Sequence, residues 1–236
     1  MASGLLDRLR EAPERAGILL DVDGVLAPIV ARPEDAMVPA ETRRELERLR
    51  DRYSVVGVVS GRTSDDAERI VGVAGLVYLG SHGLELAPDA KHWQDTIHEF
   101  AAGVDWPVED KGLTVSFHYR LAPDQRAARA ELEEVASRAR AAGLKARFGR
   151  KVLELLPPIT ANKGTAVKSL LEERGLQRAL YAGDDTTDLD GFAAVAELEL
   201  GVRVAVASPE GPSTLRDAAD VVVASPADLL DLLRQL

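Results

Sequence analysis

Apolar residues come along this chain in short, nearly unbroken runs, and each run ends in a polar cluster. Residues 17–20 form the first, closed by Asp21-Val22-Asp23-Gly24. Tyr53-Ser54-Val55-Val56-Gly57-Val58-Val59 is the second and ends in Ser60-Gly61-Arg62-Thr63. Leu76-Val77-Tyr78-Leu79 runs into Gly80-Ser81-His82-Gly83, and Ala179-Leu180-Tyr181-Ala182 into Gly183-Asp184-Asp185-Thr186-Thr187-Asp188. Short apolar runs bounded by turn residues suit strands covered on both faces, as in a parallel sheet. Residues 202–207 and 221–223 add two more short strands. Helical patterns separate them: residues 5–15, a segment started by Pro39 and carrying Leu46 and Leu49, one opened by Asp65, Asp66 and Glu68, residues 163–171 stopped by Gly175, and residues 227–236. Strands alternating with helices predict a parallel sheet with right-handed crossovers.

The middle of the chain follows a different pattern. Residues 84–93, with Pro88-Asp89 inside, read as a hairpin, and residues 96–104 as a helix. Over residues 112–119, Leu113, Val115, Phe117 and Tyr119 alternate with Thr114, Ser116 and His118, as in a strand with one open face. Residues 123–142 read as a helix ending at Gly143, and residues 145–156 as a further half-polar strand closed by Pro157-Pro158. The expected class is therefore α/β. A Rossmann-like parallel-sheet core spans residues 1–104 and 159–236, and a smaller α/β cap with an antiparallel sheet is inserted at 105–158.

Composition narrows the chemistry. With 236 residues, the chain is long enough for one core and one sizeable insertion. The absence of cysteine excludes disulfides, thiolate metal sites and cysteine nucleophiles. A formal net charge of −10 argues against a nucleic-acid or anionic-membrane surface, and requires a local positive site for any anionic substrate. No apolar run is long enough to span a bilayer, and residues 1–10 lack the apolar stretch of a signal peptide, so a cytoplasmic protein is expected.

The polar clusters all sit just past the C-terminal ends of expected parallel strands, where open α/β sheets place their ligands. Asp21 and Asp23 fall on one face of an extended chain. Two adjacent carboxylates repel unless a divalent cation or a proton lies between them. Each cluster also has a plain reading: a surface turn at Asp21-Gly24, a helix cap at Ser60, a turn residue at His82, a solvated lysine at Lys163, and an acidic helix start at Asp184, Asp185 and Asp188. Their occurrence together, in this order, favours one site. Oxygen-only ligands suit Mg²⁺ beside a phosphate, and a carboxylate can attack phosphorus. Lys163 and the Ser60 hydroxyl would clamp the transferring group. A second carboxylate would carry the proton that the leaving alkoxide needs. Phosphoryl transfer is the expected chemistry.

Asp21-Val22-Asp23-Gly24-Val25, Ser60-Gly61, Lys163 and Gly183-Asp184-Asp185 resemble the four motifs of the haloacid dehalogenase-like phosphatases. The resemblance implies Asp21 as nucleophile, Asp23 as general acid and then base, and Ser60 and Lys163 as holders of the phosphoryl group. It also implies Mg²⁺ bound by Asp21, by the backbone carbonyl of Asp23 and by Asp184, with Asp185 and Asp188 steadying its waters. Val25 stands where that family often has Thr.

A narrower resemblance, to the trehalose-6-phosphate phosphatases, is carried by Ser60-Gly61-Arg62, Gly80-Ser81-His82-Gly83-Leu84-Glu85, Glu109-Asp110-Lys111-Gly112, Phe117-His118-Tyr119-Arg120, Val152-Leu153-Glu154-Leu155 and Asn162-Lys163-Gly164. It implies hydrolysis of trehalose 6-phosphate through an aspartyl phosphate, with the insert closing over the sugar. Glu109, Lys111 and Glu154 would then bind trehalose hydroxyls, with Arg120 and Arg150 on the same surface. Gly61, Arg62 and His82 are expected at the substrate as well. Arg150 stands where a Lys is expected and Leu156 where Arg is common. Glu109 and Lys111 read equally as a solvated charge pair. The competing readings are a phosphatase for sucrose phosphate, mannosylglycerate phosphate or glucosylglycerol phosphate, a phosphomutase, and a non-catalytic sugar-phosphate sensor or synthase partner. The implied partner is a small-molecule sugar phosphate, and the implied state a monomer, with association with a trehalose-phosphate synthase left open.

Overall fold

Every apolar run that ends in a polar cluster is a strand of one parallel sheet. The computed structural model describes residues 2–208 and 211–236; Met1, the first residue of the expected core range, lies outside them. Three strands, β1 (Ala16–Leu20), β2 (Val55–Val59) and β3 (Val77–Leu79), precede the insert, and β8 (Arg178–Gly183), β9 (Leu200–Val206) and β10 (Val221–Val223) follow it. Their order is β10-β9-β8-β1-β2-β3, with all neighbours parallel. β1 lies inside the sheet, between β2 and β8, and all five of its residues are buried.

Helices cover both faces, which is why the strands are apolar throughout. On one side, Ile18 and Leu20 pack with Leu46 and Leu49 of α2 (Ala40–Arg52), Ile70 of α3 (Ser64–Val71) and Leu233 of α9 (Pro226–Leu233). On the other, Leu19 packs with Val167 and Leu170 of α6 (Lys163–Glu173) and with Phe192 and Val195 of α7 (Asp188–Ala196). Each such side chain contributes about 1.5–3 kcal/mol by leaving water. Val25 is fully buried in the first of these cores, so the position that often holds Thr in the resembled phosphatases is here a packing position.

By contacts, the chain divides into one unit made of residues up to Gly83 and from Ala161 onward, and a second unit of Leu84–Thr160. The second unit takes in residues 84–104 and 159–160 in addition to the expected 105–158. Its core explains why: Ile97 and Ala101 of α4 (Gln94–Ala102) pack with Val115, Phe117, Leu132, Leu153 and Leu155. Its sheet is antiparallel, in the order β4 (Glu109–Asp110), β5 (Val115–His118), β7 (Val152–Leu156), β6 (Lys145–Gly149), backed by α5 (Gln125–Ala141).

Three local expectations change. Residues 84–93 form no hairpin; a short helical turn ends at Leu86, after a kink at His82 and Gly83, and a 3₁₀ segment follows at Pro88–Trp93. Pro88 offers no N–H to a strand ladder and starts that segment. The half-polar stretch 145–156 is two strands, because the chain reverses after Gly149 with Lys151 in the left-handed region at φ 58°. The leading helix α1 (Ala2–Arg10) stops before Pro13, which opens a separate 3₁₀ turn.

Candidate active site

β1 delivers Asp21 to the C-terminal edge of the sheet. The Asp21 N–H still donates to the Ala182 carbonyl of β8 at 3.0 Å, so the carboxylate is fixed by sheet pairing. The chain then turns sharply: Gly24 N–H donates to Ala27 O at 2.7 Å, with Gly24 at φ 80°. Glycine is needed here for a second reason. A Cβ at residue 24 would overlap Oδ2 of Asp184, so the missing side chain is the space beside that carboxylate. Asp21 itself is 5% exposed. Its Oδ1 accepts from the Val22 N–H at 2.7 Å and its Oδ2 faces Lys163 Nζ at 2.7 Å.

Lys163 is the first residue of α6. Asn162 caps that helix, accepting from the Thr165 N–H at 2.8 Å, while Thr165 Oγ1 accepts from the Asn162 N–H at 3.0 Å. The cap fixes where the lysine leaves the helix. Lys163 is 2% exposed, which rules out the reading of a solvated helix-start lysine. Its ammonium lies between Asp21 and Asp188, at 2.7 and 2.8 Å. Burial opposes its charge, but Asp188 and Asp21 outweigh that and hold its pKa above the ordinary lysine value.

Asp188 opens α7 and has both oxygens in use. Oδ1 takes Lys163 and the Tyr181 hydroxyl, the latter at 2.7 Å; Oδ2 accepts from the Asp184 and Asp185 N–H groups at 2.9 and 3.0 Å. Burial would raise the Asp188 pKa, yet the Lys163 charge and these hydrogen bonds bring it below the ordinary value. Asp21 goes the other way and is pushed up to about 7. Burial outweighs the attraction of Lys163, and the charges of Asp188 and Asp23 add to the rise. The shared lysine thus favours the better hydrogen-bonded charge of Asp188, and Asp21 is the carboxylate poorest in compensation.

Tyr181 is absent from the sequence-based set. In the sequence it reads as one more apolar residue of a buried strand, and no signal marks its hydroxyl. It is fully buried in β8 and packs edge-on against Phe192, with ring centroids 6.0 Å apart. Tyr181→Phe keeps the ring and removes one hydrogen bond to a charged group. The expected result is a stability loss of about 1.5–3 kcal/mol, with a smaller fall in turnover as Lys163 loosens. Calorimetry alongside steady-state rates checks this, and an unchanged melting temperature would show that the hydroxyl does not support Asp188.

At the end of β2, Ser60 is 1% exposed and its Oγ accepts from the Arg62 N–H at 3.2 Å. It does not cap α3; Thr63 does, accepting from the Asp66 N–H at 3.2 Å. Gly61 lies under the His82 ring, and a Cβ there would come within 2.5 Å of Nε2. Ser81 and His82 hold left-handed backbone at φ 50° and 54°, locked by Ser81 N–H to Arg62 O and His82 N–H to Ser60 O at 2.6 and 2.9 Å. Such conformations persist where the surroundings over-determine them. The structure thus brings Ser60, Gly61, Arg62 and His82 together at one strand edge.

The Arg62 guanidinium, expected at the substrate, is engaged by partners within the chain. It grips both oxygens of Asp23, at 2.7 and 2.9 Å, and also reaches Asp66 at 2.8 Å and the Pro33 carbonyl at 3.1 Å. The Asp23 carboxylate is thereby oriented, and it stands apart from the acidic cluster formed by Asp21, Asp184 and Asp188.

That cluster is the candidate metal centre. One carboxylate oxygen from each of Asp21, Asp184 and Asp188 lies within 4.8 Å of the others, and all three residues are buried. An all-oxygen, all-carboxylate set suits a hard divalent cation. The residues fit: Asp184 faces the space left by Gly24 and Asp21 lies in the same cluster, while Asp188, its oxygens engaged by Lys163, Tyr181 and two N–H groups, serves as a brace. Asp185 turns back to its own loop, Oδ1 accepting from the Thr186 N–H at 2.7 Å.

Within the insert, Glu109, Lys111 and Glu154 converge. Lys111 Nζ lies 3.3 Å from Glu154 and 3.6 Å from Glu109. The lysine side chain is 14% and the Glu154 side chain 9% exposed, so those two are not solvated surface charges, while the Glu109 side chain is 33% exposed. His118 Nε2 meets Glu109 Oε2 at 2.6 Å. Arg120 and Arg150 meet each other at the β6–β7 reversal, where an Arg120 N–H donates to the Arg150 carbonyl at 3.4 Å.

Comparison with known proteins agrees with this arrangement. A sequence profile of the family described as trehalose-phosphatase matches residues 19–107 and 103–226. An uncharacterized glycosyl hydrolase of Mycobacterium tuberculosis is 36% identical, over 80% of this chain and 16% of its own length. The trehalose-phosphate phosphatase of Mycolicibacterium paratuberculosis is 36% identical, over 78% of this chain and 52% of its own length. The chain thus spans about half of that phosphatase and a small part of the hydrolase. The C-terminal domain of the C. albicans trehalose-6-phosphate phosphatase superposes with a TM-score of 0.81 at 22% identity, over 99% of this chain and 95% of that one, a likeness of fold. With the profile matched on both sides of the insert, the chain belongs to the trehalose-phosphatase family.

Proposed function

We propose that the protein hydrolyses trehalose 6-phosphate to trehalose and phosphate, with Mg²⁺ as cofactor. The observation that carries the reading is the buried cluster of Asp21, Lys163, Asp188 and Asp184 at the C-terminal edge of a parallel sheet. Asp21 Oδ attacks phosphorus in line, and the bond from phosphorus to the sugar 6-oxygen breaks. Asp23, carrying a proton, gives it to the leaving oxygen. Water then attacks the aspartyl phosphate, yields its proton to Asp23, and Asp21 leaves as carboxylate. Arg62 holds Asp23 in one orientation for both proton transfers. Lys163 and the Ser60 hydroxyl bind the phosphoryl oxygens. Mg²⁺ held by Asp21 and Asp184, with the Asp23 backbone carbonyl, would supply positive charge against the phosphoryl group. Glu109, Lys111 and Glu154 bind sugar hydroxyls, and their charge makes a sugar that fails to pair with them costly.

The test is a phosphate-release panel with and without Mg²⁺: trehalose 6-phosphate, sucrose phosphate, mannosylglycerate phosphate, glucosylglycerol phosphate and p-nitrophenyl phosphate. Trehalose 6-phosphate should be the preferred substrate and the activity Mg²⁺-dependent. Glu154→Ala should cost roughly 10- to 100-fold more in kcat/KM on trehalose 6-phosphate than on p-nitrophenyl phosphate, the scale of a lost charge-assisted hydrogen bond. Preference for another sugar phosphate would reassign the substrate, and no phosphate release from any of them would leave a sensor rather than an enzyme.

A further inference from the structure

Directly opposed residues of an antiparallel sheet share a face and stand close enough to interact. In the insert, Glu109 of β4 opposes Ser116 of β5, Ser116 opposes Glu154 of β7, and Glu154 opposes Arg147 of β6. The four side chains therefore form one row across the whole sheet. The other face is the apolar one, with Val115, Phe117, Leu153 and Leu155 in the core and Ala146 and Phe148 packed against it. At the end of the row, Arg147 places a guanidinium nitrogen 2.8 Å from Glu154 Oε2. The other oxygen, Oε1, faces Lys111 at 3.3 Å. Lys111 is also within reach of Glu109, so its hold on Glu154 is divided. The hydroxyl of Ser116, the other cross-strand neighbour, is buried and has no hydrogen-bond partner among the described residues, so it does not steer the carboxylate.

We propose that Arg147 is the positioning residue for Glu154: it fixes the carboxylate so that Glu154 presents a set orientation to a sugar hydroxyl, and it thereby sets discrimination for the sugar rather than the rate of phosphoryl transfer. This rests on the reading of Glu154 as a sugar-binding residue. The short contact comes from a strand directly paired with β7, so it needs no loop to hold it. A planar guanidinium orients a carboxylate more tightly than a lysine does.

The experiment uses the full chain with Mg²⁺ and two substrates, trehalose 6-phosphate and p-nitrophenyl phosphate. The wild type is measured first: no turnover of trehalose 6-phosphate would overturn the substrate reading itself. Given that turnover, Arg147→Leu should lower kcat/KM on trehalose 6-phosphate about 10-fold more than on the aryl phosphate, mostly through KM, the scale of one charge-assisted hydrogen bond. Arg147→Lys should recover part of the loss. In a Glu154→Ala background, Arg147→Leu should add less than about 2-fold, because residues acting through one another are not additive. Equal losses on both substrates, no loss on trehalose 6-phosphate, or a full additional loss without Glu154 would each overturn the assignment. The Lys variant and thermal melts separate a local effect from misfolding.

Discussion

Asp21→Asn is expected to leave the protein folded and to lower turnover by on the order of 10⁴-fold or more, the scale on which covalent nucleophiles fail when removed. The amide keeps the shape of the side chain at the end of β1 but cannot form the acyl phosphate. The same substitution has a second readout, independent of activity. In the folded chain Asp21 holds its proton up to about 7, because burial outweighs Lys163. An unfolded carboxyl of this type titrates near ~3.9. The folded state therefore binds this proton more tightly. The stability it confers is complete below the unfolded value and is lost as pH rises through about 7. Asparagine has no such proton. With metal chelated, the variant should melt above the wild type at pH 8, and the advantage should shrink steadily towards pH 5 and vanish only below the unfolded value near ~3.9. Parallel melting curves across that range would mean that Asp21 carries no desolvation penalty; undiminished turnover would remove it from the nucleophile role.

Lys163→Met is expected to have the largest effect on stability. The ammonium lies within 2.8 Å of two buried carboxylates, and methionine fills much of its volume without the charge. Removing one member of a buried ionic cluster costs roughly 3–5 kcal/mol, since the remaining charges stay buried. For a chain of this size that corresponds to a fall in melting temperature on the order of 10 °C. The deficit should shrink in acid, where Asp21 and Asp188 can take up protons. Turnover should fall as well, because the cation proposed to bind the phosphoryl oxygens is gone. A variant that melts with the wild type at neutral pH would show that the cluster is not held by this lysine.

The strand ends and their order are legible in the sequence because burial on both faces forces apolar runs, and a run can stop only where polar groups are wanted. That logic places Asp21, Ser60, His82 and Asp184 at one edge before any coordinates. It does not say what each polar side chain pairs with. Arg62 looks like a ligand group, yet its fork matches the two oxygens of Asp23, a contact across 39 positions that no local pattern encodes. Tyr181 is invisible for the opposite reason: in an apolar strand, a phenol is indistinguishable from a core ring until Asp188 is seen beside it. Asp188 itself reads as an acidic helix start, and it is that too; its bonds to two N–H groups ahead of α7 also make it the brace of the site. In the insert, Arg147 reads as one polar residue of a half-open strand, and only the register of β6 on β7 puts it against Glu154. The boundary at residue 105 follows the end of the expected helix 96–104, whereas packing reaches back to α4, because amphipathic helices announce a buried face without naming its partner.

The central position of β1 has a consequence for biosynthesis. One neighbour, β2, is made soon after it, but the other, β8, spans Arg178–Gly183, and the whole insert emerges from the ribosome in between. Until then β1 has an open hydrogen-bonding edge and an incomplete cover, the condition in which nascent parallel sheets aggregate. Leu84–Thr160 is contiguous and contains its own apolar core, so it can collapse while the rest of the chain waits. Chains stalled short of residue 178 should therefore hold a protease-resistant fragment from the middle of the sequence and a labile segment ahead of it.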